Sequence, residues 1–491
     1  MKIKNRGFLW LLPCAAAGVL MAFLFDDSCQ LDGGMHFLFA KWAWWHPELF
    51  VGVWSRPLYT FVYAFPALIG YRGARLFTVL VCLMIAWQTW RLAEDLKVER
   101  ASLAGVLLWL QPSFFLFCAD NMTEPIFALA FVSALRLHHR GWIRTGMLIA
   151  SLLILARPEG FFLALLWALW NEECSTWSVS DLSFGMRTLY QRPGRLRSLR
   201  SPYCIPLVAG ALIWWLSALI ITGDPLYLKH NWPSNWPLTG TIYGSAGLLA
   251  FPARLPEIVG PLLLLPFFFG LYRLLKLREL YTLTSSFLLL FVLHTILRAF
   301  GLLGSAGYPR YLITVSPAIA IITLVGWNKI SAGWFSRIPP HFQRACAAII
   351  ISLSAVLNFL YADGAEWSRD ARALTAAHSW FAAHPLPINR LIWSEPYSCI
   401  LFRRDPWENP SFMPNRENDL KVLRDSPDGT LVVWDERVGP RWYGLQARDF
   451  EKAGYRLLFS QTFRLSGYIL EKSWFGVGGP RRQVIYLFYK P

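Results

Sequence analysis

Eleven stretches of the chain are long, apolar and poor in charge: residues 8–25, 75–92, 101–118, 125–137, 142–156, 160–170, 203–222, 257–275, 280–299, 309–327 and 345–361. A helix of about 20 apolar residues crosses ~30 Å of hydrocarbon, so runs of this kind read as membrane spans. Short runs meet around 125–170, and the number predicted is about eleven. One more apolar stretch, PLYTFVYAFPALIG at 57–70, is short and contains Pro57 and Pro66. It reads as a helix lying in the interface.

From about residue 362 the pattern changes: charge rises and no apolar run is long enough to span. NRLIWS, GTLVVWD, YRLLFS and QVIYLFY predict short strands, and ARDFEKAG predicts a helix. The expected architecture is an all-α polytopic membrane domain of about eleven transmembrane helices over 1–361. Its first outer loop covers 26–74, and a small α/β domain over 362–491 follows.

Composition agrees. Of the 491 residues 55% are hydrophobic and 16% charged, against about 25% charged in a soluble domain. The 25 tryptophans suit a membrane–water interface. A net charge of +16 could serve a nucleic acid, but in a polytopic chain it fits basic cytoplasmic loops better. The eight cysteines include no CxxC pair, which leaves zinc and dithiol chemistry without support. Lys2, Lys4 and Arg6 before the first apolar run imitate a signal peptide. The run's length and the lack of an A-x-A site favour an uncleaved span.

Basic residues set the orientation. With the N-terminus inside, Arg91, Lys97 and Arg100, then Arg136, Arg140 and Arg144, fall in inner loops. So do the arginines of 187–200, Arg273, Lys276 and Arg278, and Lys329, Arg337 and Arg344. The outer loop 223–256 holds only Lys229 and Arg254. This asymmetry predicts a cytoplasmic N-terminus and places the C-terminal domain on the non-cytoplasmic face, periplasmic or extracellular.

In that orientation, candidate chemistry gathers at the outer ends of the spans. FDDSCQLDGGMHF at 25–37 brings Asp26, Asp27, Asp32 and His36 to the end of the first span. WSRPL carries Arg56, DNMTEP carries Asp120 and Glu124, and ARPEG carries Arg157 and Glu159. RAFGLLGSAGYPRY carries Arg298 and Arg310. Ionisable groups near membrane depth mark cavities and functional paths. Each also has a plainer reading. Asp26 or Asp27 can mark a membrane exit, His36 an interfacial side chain, Glu124 a first-turn acid, and Arg157–Glu159 a structural pair. NMT at 121–123 matches a short glycosylation sequon. Gly33-Gly34 is expected to turn the backbone tightly and bring Asp32 forward.

Carboxylates beside arginines at a membrane surface suit transfer of a sugar from a lipid-linked phosphate. A carboxylate takes the proton of the attacking hydroxyl, and cations stabilise the departing phosphate.

Over roughly residues 1–361 the sequence resembles the GT-C-fold glycosyltransferases, which include protein O-mannosyltransferases and lipid A aminoarabinose transferases. Asp32, His36 and Ala40 match the family's essential Asp, aromatic and alanine at four-residue steps, with His for the usual Tyr. Arg56-Pro57 match its basic residue and proline before an amphipathic helix. DNMTEPIFALAF resembles its acid–Pro start of span four, LARPEGFFLAL its basic turn after span five, and GYPRYLITVSPAIAI, with Arg310-Tyr311, its late span. The family's Asp-Glu doublet is absent at Asp32, and an Asp-Asp pair stands earlier at 26–27. Family spacing favours Asp32 as base, with Asp27 and Asp26 next and Glu124 a further catalytic candidate.

The resemblance implies a polyprenyl-phosphate-linked sugar donor, transfer with inversion, and a lipid, glycan or protein acceptor. It also implies an active site on the outer face, in a setting such as a bacterial inner membrane. It assigns His36, Arg56, Asp120, Arg157, Glu159, Arg310 and Tyr311 to substrate binding. Some relatives use a divalent metal, and the sequence leaves metal dependence open; no other cofactor and no nucleic acid is implied.

Two other readings compete. A transporter or lipid flippase would show inverted repeats, and none is evident. An oligosaccharyltransferase would carry a WWDYG-like motif, but WDERVGPRWYG at 434–444 lacks its spacing.

Overall fold

The computed structural model describes residues 9–24, 31–174, 202–232, 243–333, 339–364, 367–408, 416–436, 439–465 and 481–491. The first helices are α1 (Leu11–Leu24), α2 (Leu31–Trp42), α3 (Pro57–Leu68), α4 (Tyr71–Asp95), α5 (Leu103–Trp109), α6 (Pro112–Phe117) and α7 (Thr123–His139). They are followed by α8 (Ile143–Ser151), α9 (Leu153–Ala156), α10 (Gly160–Cys174), α11 (Ala209–Thr222), α12 (Tyr227–His230), α13 (Leu255–Val259) and α14 (Leu264–Leu277). Then come α15 (Tyr281–Phe300), a 3-10 segment (Pro309–Val315), α16 (Ser316–Gly333), α17 (Pro340–Gly364) and α18 (Trp367–Ala383).

Within the described residues each of the eleven apolar runs is helical, and two are broken just before a proline. The run 101–118 divides between α5 and α6, where Gln111 is extended with ψ 120° ahead of Pro112. A proline clashes with a helical conformation in the residue before it. The run 257–275 bends by 98° between α13 and α14, at Gly260-Pro261. Gly260 has φ 106°, which a residue with a Cβ resists. Among the described residues five helices are long and apolar enough to cross a membrane, and six if the bent pair is one span. Shorter apolar helices occupy Leu11–Leu24, Pro57–Leu68, Ile143–Ala156 and Gly160–Trp170. Apolar periodicity measures burial in lipid or protein and not unbroken length, so a count of runs is not a count of full-length spans.

α3 is two-faced. Tyr59, Tyr63 and Ala67 are buried, while Phe61, Phe65, Leu68 and Ile69 are exposed. That outward apolar stripe is the surface an interfacial helix offers to lipid.

Glycines set the closest helix contacts. A Cβ on Gly326 would stand 1.8 Å from the carbonyl oxygen of Pro266, and one on Gly270 would stand 2.1 Å from that of Ile322. α14 and α16 therefore meet backbone to backbone, as small residues allow in membrane bundles.

The four expected strands are present: β1 (Arg390–Trp393), β2 (Thr430–Asp435), β3 (Arg456–Leu465) and β4 (Arg481–Tyr489), in the order β1-β2-β4-β3. β1 and β2 are parallel, and β4 is antiparallel to both its neighbours. ARDFEKAG forms the helix Ala447–Lys452. Side chains alternate across the sheet. Leu391, Trp393, Leu431, Val433, Ile485 and Leu487 join the large core of the bundle side. Ile392, Val432, Trp434 and Phe488 form a second core with Leu423, Phe450 and Tyr455. The sheet unit meets the bundle through Tyr397 against Tyr71, at the start of α4, and Trp407 against Phe39 of α2, both 5.7 Å between ring centres. His46 Nε2 lies 2.8 Å from Asp405 Oδ2 at the same junction.

Gly326→Ala forces α14 and α16 apart, and overpacking of this kind typically costs about 1–3 kcal/mol. Its thermal midpoint in detergent should fall by several degrees. A Cβ on Gly333, in the same helix, meets nothing within 4 Å, so Gly333→Ala should match or exceed the wild type. Equal midpoints for both variants would contradict the packing described.

Candidate active site

At one end of the bundle a chain of buried charges joins five elements. Arg310, in the 3-10 segment, pairs through Nη2 with Asp32 Oδ2 on the first turn of α2. Its Nε lies 3.3 Å from Glu124 Oε1, at the start of α7. Glu124 Oε1 also accepts from Arg157 Nη1 at 2.8 Å. Arg157, just after α9, donates through Nη2 to Glu159 Oε1 at 2.9 Å. Glu159 lies 3.6 Å from His294 Nε2 on α15. Aromatic rings flank both cations: Arg310 is 4.6 Å from the Tyr308 ring centre, and Arg157 is 5.2 Å from that of Tyr311. Arginines stack on such faces while keeping their donors free for oxyanions.

The three carboxylates of the chain differ in access. The Glu124 side chain is 0% exposed and that of Glu159 11%, whereas Asp32, deep as it lies, keeps 33%. Burial alone would raise the Asp32 carboxyl. The Arg310 guanidinium, with help from His36 and Arg157, outweighs it and holds Asp32 below the ordinary carboxylate value. Burial likewise pushes Glu159 up, but Arg157 and His294 bring it down to about 2. Arg310 Nη1 is buried and has no hydrogen-bond partner among the described residues.

Arg56 sits beside this chain, 8% exposed. Burial and Arg157 lower it to about 10, while Glu159, Glu124 and Asp32 pull the other way. Its backbone is left-handed, with φ 60°, where it precedes Pro57 and caps α3. A residue with a Cβ is strained there, and such strain concentrates at functional sites.

His36 lies one turn beyond Asp32 on the same face of α2, its ring 5.3 Å from that of Tyr59. Burial and three arginines push it down to about 3 against the pull of Asp32, so it is neutral. Asp120 lies in the α6–α7 turn and accepts from the Asn121 backbone N–H at 2.8 Å. A Cβ on Gly33 would stand 2.6 Å from Asp120 Oδ1. Gly33 and Gly34 lie within α2 rather than in a tight turn, and the bare Cα of Gly33 leaves room for the Asp120 side chain. Asn121 is fully buried, so its sequon offers a glycan no access in this fold. Asp26 and Asp27 lie outside the described residues.

Arg298 stands apart from the charge chain. It donates to the carbonyls of Tyr243 and Gly244, at 3.0 Å each, and so tethers a loop. Arg75, His294 and Tyr59 belong with the site but escaped the sequence reading. Arg75, 2% exposed, donates to the carbonyl of Ala119 at 2.6 Å and opposes the charge of Asp120. Each of Arg75 and His294 is an ionisable group inside an apolar run, which is the signal that could have marked them. Among the described residues no three His, Cys, Asp or Glu side chains are grouped to hold a metal.

The fold is that of a polytopic integral membrane protein with a GT-C-like architecture. Two solved structures share the architecture. The crystal structure of ArnT from Cupriavidus metallidurans bound to undecaprenyl phosphate is 14% identical, with a TM-score of 0.59 and 97% of this chain and 98% of that chain covered. The apo form of the same protein gives 14% identity, a TM-score of 0.60 and 97% coverage of both chains. No protein-family model and no curated protein sequence matches the chain.

Removing one partner from a buried ion pair typically costs about 3–5 kcal/mol, because a charge is left without compensation. Glu124→Ala strips a partner from both arginines and should lower the thermal midpoint and the monodisperse yield sharply. Asp32→Asn, open to water and still able to accept from Arg310, should stay close to wild type. The reverse order of stabilities would show that Glu124 is not what holds the chain together.

Proposed function

We propose that this protein is a membrane glycosyltransferase. It moves a sugar from a polyprenyl-phosphate donor to an acceptor hydroxyl, with inversion, using Asp32 as general base. The observation that carries this reading is the contrast within the charge chain. Asp32 is its accessible carboxylate, and the buried arginine that Asp32 pairs with keeps an unmade donor, Nη1. The undecaprenyl phosphate bound to the structurally similar ArnT supports the choice of donor class.

The reaction follows from the residues. Arg310 and Arg157, with Arg56 beside them, take the donor phosphate. Arginine engages two phosphate oxygens at once, which a lysine does not. In drawing Arg310 toward itself, the phosphate loosens the pair that holds Asp32 below its ordinary value, and Asp32 becomes a better base. Asp32 then accepts the proton of the acceptor hydroxyl. The oxygen forms its bond to the anomeric carbon from the face opposite the phosphate. The bond from that carbon to the phosphate oxygen breaks, its electron pair stays with the phosphate, and the arginines stabilise the charge. Glu124 and Glu159 keep the arginines aimed.

The site lies on the non-cytoplasmic face in this reading, with the N-terminus inside and the domain beyond residue 361 outside, as in a bacterial inner membrane protein. The acceptor is a lipid, glycan or protein hydroxyl.

Asp32→Asn should lower kcat by about 10²–10⁴-fold, the usual worth of general base catalysis, and leave undecaprenyl phosphate binding near wild type. Arg310→Lys keeps the charge but should weaken lipid binding as well. Transfer assayed with a polyprenyl-phosphate-linked sugar separates the two effects. Full turnover by Asp32→Asn would remove Asp32 from the mechanism and leave Asp26 and Asp27 as the bases to test.

A further inference from the structure

Beside the charge chain, the protein buries polar atoms and gives them nothing to bind. His36 Nδ1, Tyr59 Oη and both polar side-chain atoms of Asn121 have no hydrogen-bond partner among the described residues. Their residues are 7%, 0% and 0% exposed. Buried polar groups in native proteins are nearly always paired, so each of these calls for an explanation.

They belong to one neighbourhood. The His36 and Tyr59 ring centres are 5.3 Å apart. Tyr59 feels the charge of Asp120, and Asp120 feels Arg310 and Glu124. The Asp120–Met122 turn, with Asn121 at its centre, presses on Gly33, one residue from Asp32; a Cβ there would meet Asp120 Oδ1 at 2.6 Å and Met122 Sδ at 3.3 Å. α2 and α3 thus bring the His36 and Tyr59 orphans together one turn from Asp32, and the turn that carries Asn121 abuts the same stretch of α2.

The chemistry on offer differs from that of the charge chain. Asn121 supplies both donors and an acceptor, the Tyr59 hydroxyl either one, and the imidazole nitrogen either one according to tautomer. His36 is neutral. Burial outweighs Arg75 and the Asn121 N–H and lifts the Asp120 carboxyl to about 6, with Arg75 as its cationic neighbour. An ammonium group would need a carboxylate with no cation beside it, and an acidic sugar a cation with no acid beside it; among the described residues the cluster of His36, Tyr59, Asn121 and Asp120 has neither. Adjacent hydroxyls, each both donor and acceptor, match what is present.

Resting on the glycosyltransferase reading, we propose that His36, Tyr59 and Asn121, backed by Asp120, form the subsite for a neutral, polyhydroxylated donor sugar. Arg310 and Arg157 hold its phosphate. The subsite would set which sugar is accepted. It holds the ring on the Asp32 side of the phosphate, where the base must act.

The test uses the full-length protein in lipid nanodiscs. Affinity is measured for undecaprenyl phosphate alone and for undecaprenyl phosphate carrying mannose, glucose or galactose, and the ratio of the two is compared between variants. Tyr59→Phe removes the hydroxyl and keeps the ring. It should lower the sugar-loaded to bare ratio by about 5–10-fold for at least one of these sugars, the worth of a hydrogen bond, with bare-lipid affinity unchanged. Asn121→Ala should act in the same direction. Retained binding of bare lipid reports that each variant is folded. A ratio unchanged in both variants for every sugar, or loaded and bare lipid weakened together, would overturn the subsite. Failure of the wild-type protein to bind undecaprenyl phosphate at all would sink the transferase reading, and the subsite with it.

Discussion

Two guanidiniums buried in a membrane protein need acids beside them, and the rest of the site is arranged to supply those acids. Arg310 and Arg157 share Glu124, which is closed off from water, and each has a second carboxylate of its own, Asp32 and Glu159. Desolvating charges is costly, and the attraction between partners offsets it only when geometry is good and further hydrogen bonds are made. The chain therefore ties α2, α7, the α9–α10 turn, α15 and the segment before α16 into one arrangement. Breaking it at Glu124 would strand two cations, whereas Asp32, a third exposed, can let go of its arginine at little cost. A network rigid at its centre and open at one end can exchange that end for a ligand.

The packing around the chain serves the same arrangement. Gly33 lets the Asp120 turn reach the first turn of α2. Gly326 and Gly270 let α16, which continues from the Arg310 segment, lie against α14 at backbone distance. The C-terminal unit holds the far end of α2 and its loop through Phe39–Trp407 and His46–Asp405. The helix carrying Asp32 is thus gripped from several sides, and α3 shows its apolar stripe outward.

Much of this could be read from the chain because membranes simplify the physics. Apolar runs gave the helices, and the strands NRLIWS, GTLVVWD, YRLLFS and QVIYLFY all formed. Charges in DNMTEP, ARPEG and GYPRY were conspicuous against hydrocarbon, and Asp120, Glu124, Arg157, Glu159 and Arg310 do gather in space. What was not legible depends on tertiary approach. Tyr59 and Asn121 are ordinary polar residues until burial leaves them without partners. Gly33 looked like a turn because glycine has two uses, conformational freedom and lack of bulk, and sequence does not separate them. The breaks at Gln111-Pro112 and Gly260-Pro261 were written in the prolines, but a run of apolar residues hides them. Arg298 looked like a site residue by position and instead binds two carbonyls.

In the proposed reaction a lipid phosphate takes Arg310 from Asp32. A cryo-EM map of the protein in nanodiscs with undecaprenyl phosphate tests it most directly. Phosphate density should lie within hydrogen-bond distance of Arg310 and Arg157, with the Asp32–Arg310 pair opened and Glu124 still between the two arginines. Phosphate density remote from both arginines, with Asp32 still paired to Arg310, would contradict it.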